Sequence, residues 1–163
     1  MEVCSCISQH TKDFPWEYGK NNKEHAEYIK KLRQAVAIAV EYDGFATFYC
    51  GLTNSSDLDF AEAVIYQKQY YDIKLVCVVS KQNQCQGWNQ KDIERYKSIL
   101  IEADSHRTVA KPIYKYLIDR AKQIIFVWNE ALLSDVSIYI NYTIQKKKFT
   151  YFVRLNDIKA NTD

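Results

Sequence analysis

Glycine is scarce in this sequence: four residues in 163, with two prolines and one methionine. Loops that bring backbone close to a bound ligand rely on glycine, because a Cβ blocks the approach. The scarcity therefore bears on any phosphate-cradling loop. No Gly-x-Ser-x-Gly elbow and no Walker-type loop occurs, which removes the serine hydrolase and P-loop classes. Charge imbalance is missing too. The net charge is +2, and no basic block exceeds Lys146-Lys147-Lys148, so nucleic acid is not an expected partner. No apolar run approaches the roughly 18 residues of a membrane span. The N-terminal stretch has no basic region followed by an apolar core, so no secretory signal is expected.

Five cysteines (Cys4, Cys6, Cys50, Cys77 and Cys85) are an odd number, set mostly in strand-like segments. That usage fits reduced thiols and a cytoplasmic location better than a disulfide framework. Cys4-x-Cys6 with His10 nearby matches no common zinc spacing, so neither a metal nor a cofactor is expected.

Against these absences stand 47% hydrophobic and 26% charged residues and thirteen tyrosines, enough for one domain with a proper core. Val3 to Ile7 reads as a short strand, followed by the aromatic loop Phe14-Pro15-Trp16. Between Asn22 and Tyr42, Ile29, Leu32, Val36, Ala39 and Val40 recur at helical spacing, and Asp43-Gly44 stops the helix. Ala46 to Cys50 is a strand and Asp57 to Tyr70 a helix. Ile73 to Val79 is β-branched and apolar throughout, the mark of a strand buried on both faces. Asn89 opens a helix through Leu100. A weaker segment, Ala103 to Val109, precedes a helix from Lys111 to Ala121. Gln123 to Trp128 is a strand, Asp135 to Lys146 a helix and Phe149 to Arg154 a last strand. The alternation predicts a single doubly wound α/β domain, its sheet mainly parallel and covered by helices on both faces, over residues 1–155, with a polar tail at 156–163.

The turn between the second strand and its helix, Gly51-Leu52-Thr53-Asn54-Ser55-Ser56-Asp57, is where such folds cradle phosphate. Ser56 and Asp59 stand at capping-box spacing, which predicts a helix that satisfies its own N–H groups. Asp57 and Asp59 place two negative charges in its first turn, where they repel an incoming phosphate.

The order and spacing of these segments over residues 4 to 155 resemble the YpsA-like branch of the SLOG superfamily, relatives of the LOG and DprA nucleotide-binding folds. Ser8-Gln9-His10-Thr11 followed by Phe14-Pro15-Trp16 resembles the family's Thr-Gly-His-Arg-Pro loop and Phe-Pro-Trp. Gly51 and Asp57, with Ala61-Glu62, fall on its glycine-rich loop, whose second glycine is Ser55 here. Asp72 to Cys77, Gln84, Trp88, Arg95-Tyr96, Ala103-Asp104, Tyr116 and Asp119 sit where the family places similar residues. Ile113-Tyr114 replaces an Arg-Asn pair, and Leu133-Ser134-Asp135 replaces a Gly-Gly-Thr helix start. The resemblance implies a Rossmann-like fold and a nucleotide-derived ligand, held by a phosphate cradle whose glycines are largely gone.

The candidate ligand-binding residues are Ser8, Gln9, His10, Gly51, Thr53, Ser55, Ser56, Asp57, Trp88, Asn129, Ser134 and Asp135; none is expected to be catalytic. His10 has acid–base potential but reads more simply as a loop-fixing residue. Asp57 and Glu62, the counterpart of an acidic pair in the LOG relatives, stand at i, i+5 and share no helix face, which favours capping and surface or packing roles. Trp88 either stacks on a base or packs under the domain. Three functions follow. The first is a non-catalytic binding module, a sensor or sequestering protein of the kind found in phage–host defence. The second is an interaction scaffold with a closed pocket, using Tyr66, Tyr70, Tyr71, Tyr114 and Tyr116 for a homo-oligomer or protein partner. The third is a nucleotide phosphoribohydrolase.

Overall fold

The computed structural model describes residues 1–20, 22–81, 83–110 and 112–159. Strands and helices alternate without exception. They are β1 (Val3–Ser8), α1 (Lys23–Glu41), β2 (Thr47–Cys50), α2 (Ser55–Gln67), β3 (Lys74–Ser80) and α3 (Gln90–Glu102). β4 (Ser105–Val109), α4 (Ile113–Arg120), β5 (Gln123–Trp128), α5 (Asp135–Gln145) and β6 (Phe149–Arg154) complete the chain. The six strands form one sheet in the order β4-β3-β2-β1-β5-β6, and every pairing is parallel. This is a Rossmann-like α/β fold.

The order follows from one rule. Parallel strands joined through a helix cross over right-handedly, so the direction of travel decides which face the helix covers. From β1 to β4 the chain moves steadily one way, and α1, α2 and α3 pack on one face. After β4 it returns to the far side of β1, and α4 and α5 pack on the other. Strand residues divide accordingly, at the period of two that the pleat imposes. Cys4, Cys6, Ile125 and Val127 face the first helical layer, whereas Val3, Ile7, Ile124 and Phe126 face the second.

Local chemistry sets the helix ends. Asn22 and Asn89 cap α1 and α3, each accepting a hydrogen bond at 2.8 Å from the backbone N–H three residues on. On α1, Tyr28, Leu32, Ala35, Val36 and Ala39 form the buried stripe. The weak segment Ala103 to Val109 contains β4, an edge strand with Ser105 to Thr108 exposed; a polar edge has little apolar pattern to read and resists pairing with other chains. Beyond β6, Leu155–Asp157 form a 3₁₀ turn and Ile158 packs into the first core layer. Of the expected tail, 160–163 lie outside the described residues, as does Lys111 at the expected start of α4.

Among the described residues no helix is long and apolar enough to cross a membrane. No group of three or more histidine, cysteine or acidic residues among them is placed to hold a metal ion.

Candidate functional site

Open parallel sheets bind ligands at the carboxyl ends of neighbouring strands whose connections leave on opposite faces. Here those strands are β1 and β5. β1 ends in Ser8 and Gln9, both buried, and β5 runs out into Asn129, also buried. Beside them, β2 turns into α2 through Gly51 to Asn54. Leu52 takes a left-handed conformation, φ 51°, although it is fully buried. Gln84 ties this turn down, its Nε2 donating to the carbonyls of Leu52 at 2.9 Å and Gly51 at 3.2 Å.

The N-cap of α2 lies two residues earlier than the Ser56/Asp59 spacing suggests. Asn54 is the cap: its Oδ1 accepts from the Asp57 N–H at 3.0 Å. Asparagine outranks most residues here because its side-chain oxygen reaches the second or third N–H of the helix. Ser56 is fully buried instead, with its Oγ 2.6 Å from the Gln9 carbonyl and 2.9 Å from Ser8 Oγ, which knits α2 to the end of β1.

Asp57 is not a solvated first-turn charge either; it is 2% exposed. Its carboxylate turns back into the loop and accepts from the Thr53 N–H at 2.8 Å, Thr53 Oγ1 at 2.5 Å, Tyr114 OH at 2.9 Å and Ser8 Oγ. Burial pushes its pKa up, and the hydrogen bonds from Ser8, Thr53 and Tyr114 pull against that rise. Burial, reinforced by the Asp57 charge, raises the Tyr114 phenol well above its ordinary value, so it keeps the proton it donates.

Above this turn lies a cavity of about 560 Å³. Ser8, Gln9, His10, Thr53, Ser134 and Asp135 line it, so half of the expected residues do converge. Gln9 is 1% exposed; its Oε1 accepts from the Asn129 N–H at 3.2 Å and sits 3.5 Å from Ser134 Oγ. Its Nε2 finds no acceptor among the described residues. Asn129 buttresses the wall, its Nδ2 donating to the Asp13 carbonyl at 2.7 Å. His10 is exposed, and its Nδ1 accepts from the Lys12 N–H at 3.2 Å, a loop-fixing contact. At α5, the Ser134 and Ser137 N–H groups are met by Ser137 Oγ at 3.4 Å and the Ser134 carbonyl at 3.0 Å.

The other expected residues lie elsewhere. Gly51 faces α4: a Cβ there would stand 2.7 Å from Ile113 Cγ2 and 3.3 Å from Leu117 Cδ1. Its missing side chain serves helix packing. Ser55 points to the opposite face, donating to Asp92 at 2.6 Å. Trp88 packs against the first core layer, edge-on to Tyr96 with ring centroids 5.8 Å apart, away from the cavity. Residues outside the expected ligand-binding set take part: Asn54, and the aromatic pair Tyr114 and Tyr139, whose perpendicular rings are 5.3 Å apart. Asn54 carries a legible signal, a preferred cap three residues before an acid. Tyr139 carries none beyond its place in the first turns of α5.

Asp59 serves a separate network between α1, α2 and α3. Arg95 donates to it at 2.7 Å and to Asp92 at 3.1 Å, and also holds Glu62; Tyr18 and Tyr28 donate to Asp59 at 2.8 and 2.9 Å. Burial pushes the Asp59 carboxyl up to about 6, against the pull of Arg95 and the two phenols. Asp57 and Glu62 thus face different neighbourhoods and form no pair across the cavity.

No family model matches the chain. It is similar to the UPF0398 protein YpsA of Bacillus subtilis (strain 168), with 22% identity over 167 aligned positions that span 91% of this chain and 92% of that protein. That likeness supports a YpsA-like family.

Proposed function

We propose that this YpsA-like chain is a non-catalytic binding module of the SLOG type, which captures a nucleotide-derived small molecule in the cavity between the ends of β1 and β5. Sensing or sequestering such a molecule, as in phage–host defence, is the role that reading fits. The observation that carries it is the Gln9 amide: a side chain 1% exposed, lining the cavity, with its Nε2 unmatched by any described acceptor. That donor belongs to a residue lining the cavity, where a ligand acceptor can meet it. The cavity volume, about 560 Å³, lies in the usual range for small-molecule sites.

The non-catalytic part rests on Asp57. A general base needs free access to the proton it takes, and this carboxylate is already held by Ser8, Thr53 and Tyr114. A phosphoribohydrolase reading would need Glu62 beside it, and Glu62 is engaged by Arg95 on the other side of α2. Thermal-shift and titration panels of nucleosides, nucleotides and ADP-ribose test the proposal on the whole chain. Stabilisation by at least one member, lost in Gln9→Leu, is the expected result. A flat response across the panel would sink it.

A second reading, a partner-binding surface, is favoured by apolar residues on and beside α5. Leu133 is 99% exposed, Ile138 65% and Ile144 61%. The five tyrosines named above do not make one surface, since Tyr66, Tyr70 and Tyr71 lie at the end of α2 and Tyr114 and Tyr116 on α4, across the sheet.

A further inference from the structure

We infer, on the binding reading above, that the cavity selects an uncharged nucleoside over its phosphate esters, because the Asp57 carboxylate is a built-in anion that fills the place a phosphate would take. At a working cradle the strand-to-helix turn offers its N–H groups and hydroxyls to phosphate oxygens. Five donors around this turn are already spent. The Thr53 N–H, the Thr53 and Ser8 hydroxyls and the Tyr114 phenol all point at Asp57, and the Asp57 N–H points at the Asn54 cap. A phosphate arriving here meets a carboxylate where it needs donors.

The rest of the lining agrees. Its charged side chains are Lys12 against Asp13 and Asp135, with Asp57 directly behind Thr53, so the local balance is acidic. At the second helix start the Ser134 and Ser137 N–H groups are engaged as well, by the reciprocal contacts of these two residues. What is left open is neutral. Ile113, Val136 and the Tyr114–Tyr139 pair make an apolar, aromatic wall for a flat base. The Gln9 Nε2 donor is available to a ribose hydroxyl or a base acceptor, and its Oε1 is already held by Asn129. A flat ring with attached hydroxyls matches that division, and a charged phosphate does not.

The test is isothermal titration of the whole chain with adenosine, guanosine, cytidine and uridine, each against its own 5′-monophosphate. At least one nucleoside should bind about tenfold or more tighter than its monophosphate, a difference of about 1.4 kcal/mol. A monophosphate that binds as tightly or more tightly overturns the inference while leaving the binding reading in place. Binding of neither overturns the inference too, and removes the binding reading when the wider panel that includes ADP-ribose is also flat. Asp57→Ala supplies an independent arm, because it leaves the four donors without their acceptor. Sodium formate should then raise its thermal midpoint more than sodium chloride at equal ionic strength, with no such difference in the unsubstituted chain. Equal effects of the two salts on the variant would refute the built-in anion. Should the variant fail to fold, the titration decides alone.

Discussion

Substituting Gly51 with alanine tests whether this glycine serves packing or ligand approach. The new Cβ would lie 2.7 Å from Ile113 Cγ2, 3.3 Å from Leu117 Cδ1 and 3.7 Å from Thr53 Cγ2. Carbon atoms at rest sit about 3.5–4.0 Å apart, so the first contact is short by about 1 Å. Ile113 opens α4 and is buried, and its Cγ2 is on the branched carbon, so relief requires the helix start to move. Overpacking of this kind costs about 1–3 kcal/mol, against a gain of about 0.4–1 kcal/mol from a less flexible unfolded chain. The expected net loss is about 1–2 kcal/mol, or roughly 2–8 °C in the thermal midpoint for a chain of this size. A double-mutant cycle isolates the contact: in an Ile113→Ala background Gly51→Ala should be neutral or slightly stabilising, giving a coupling of about 1 kcal/mol or more. Urea denaturation of the four proteins measures it. Equal costs in both backgrounds, or stabilisation by Gly51→Ala alone, would refute the packing role.

Two further outcomes follow from buried groups. Burial raises the Asp59 carboxyl to about 6, so the folded chain holds that proton more tightly than the unfolded chain. Its contribution to stability is therefore greatest below about pH 4 and falls by an order of about 3 kcal/mol as pH climbs through 6. Unfolding free energies from urea titrations of the chain and of Asp59→Asn should diverge by that amount across this range; parallel curves would refute it. Cys4, Cys6, Cys50 and Cys77 are buried and their thiols are raised by that burial, whereas Cys85 is half-exposed. A thiol reagent added to the folded protein should modify Cys85 first and the other four only on unfolding, and rapid loss of more than one thiol would contradict this.

Fold class was legible because it rests on period and alternation. Gln123–Trp128 and Phe149–Arg154 fall where their apolar runs place them, and the stripe on α1 is continuous. The position of the cavity was half legible, since strand ends mark it and Ser8, Gln9 and Ser134 sit there. What escaped depends on distance rather than on order. Gly51 at a helix start resembles a phosphate loop until Ile113, 62 positions on, is seen against it. Trp88 near a strand end resembles a base-stacking residue until Tyr96 is found beside it. The choice between Asn54 and Ser56 as cap turned on what Ser56 does instead, and its contact with Gln9 joins residues far apart in sequence.

The reversal that creates the cavity also orders assembly in time. β1 lies between β2, paired through Val3 and Thr47, and β5, paired through Cys4 and Gln123. While the chain is being synthesised, β1 to β4 can close into a half-sheet from neighbours in sequence. The other side of β1 must wait until Gln123 to Trp128 has emerged. Until then an apolar central strand presents a row of unpaired N–H and C=O groups, the condition that invites pairing with another chain. A product cut short before Gln123 therefore keeps its exposed middle strand for good, and is the form of this protein most prone to aggregate.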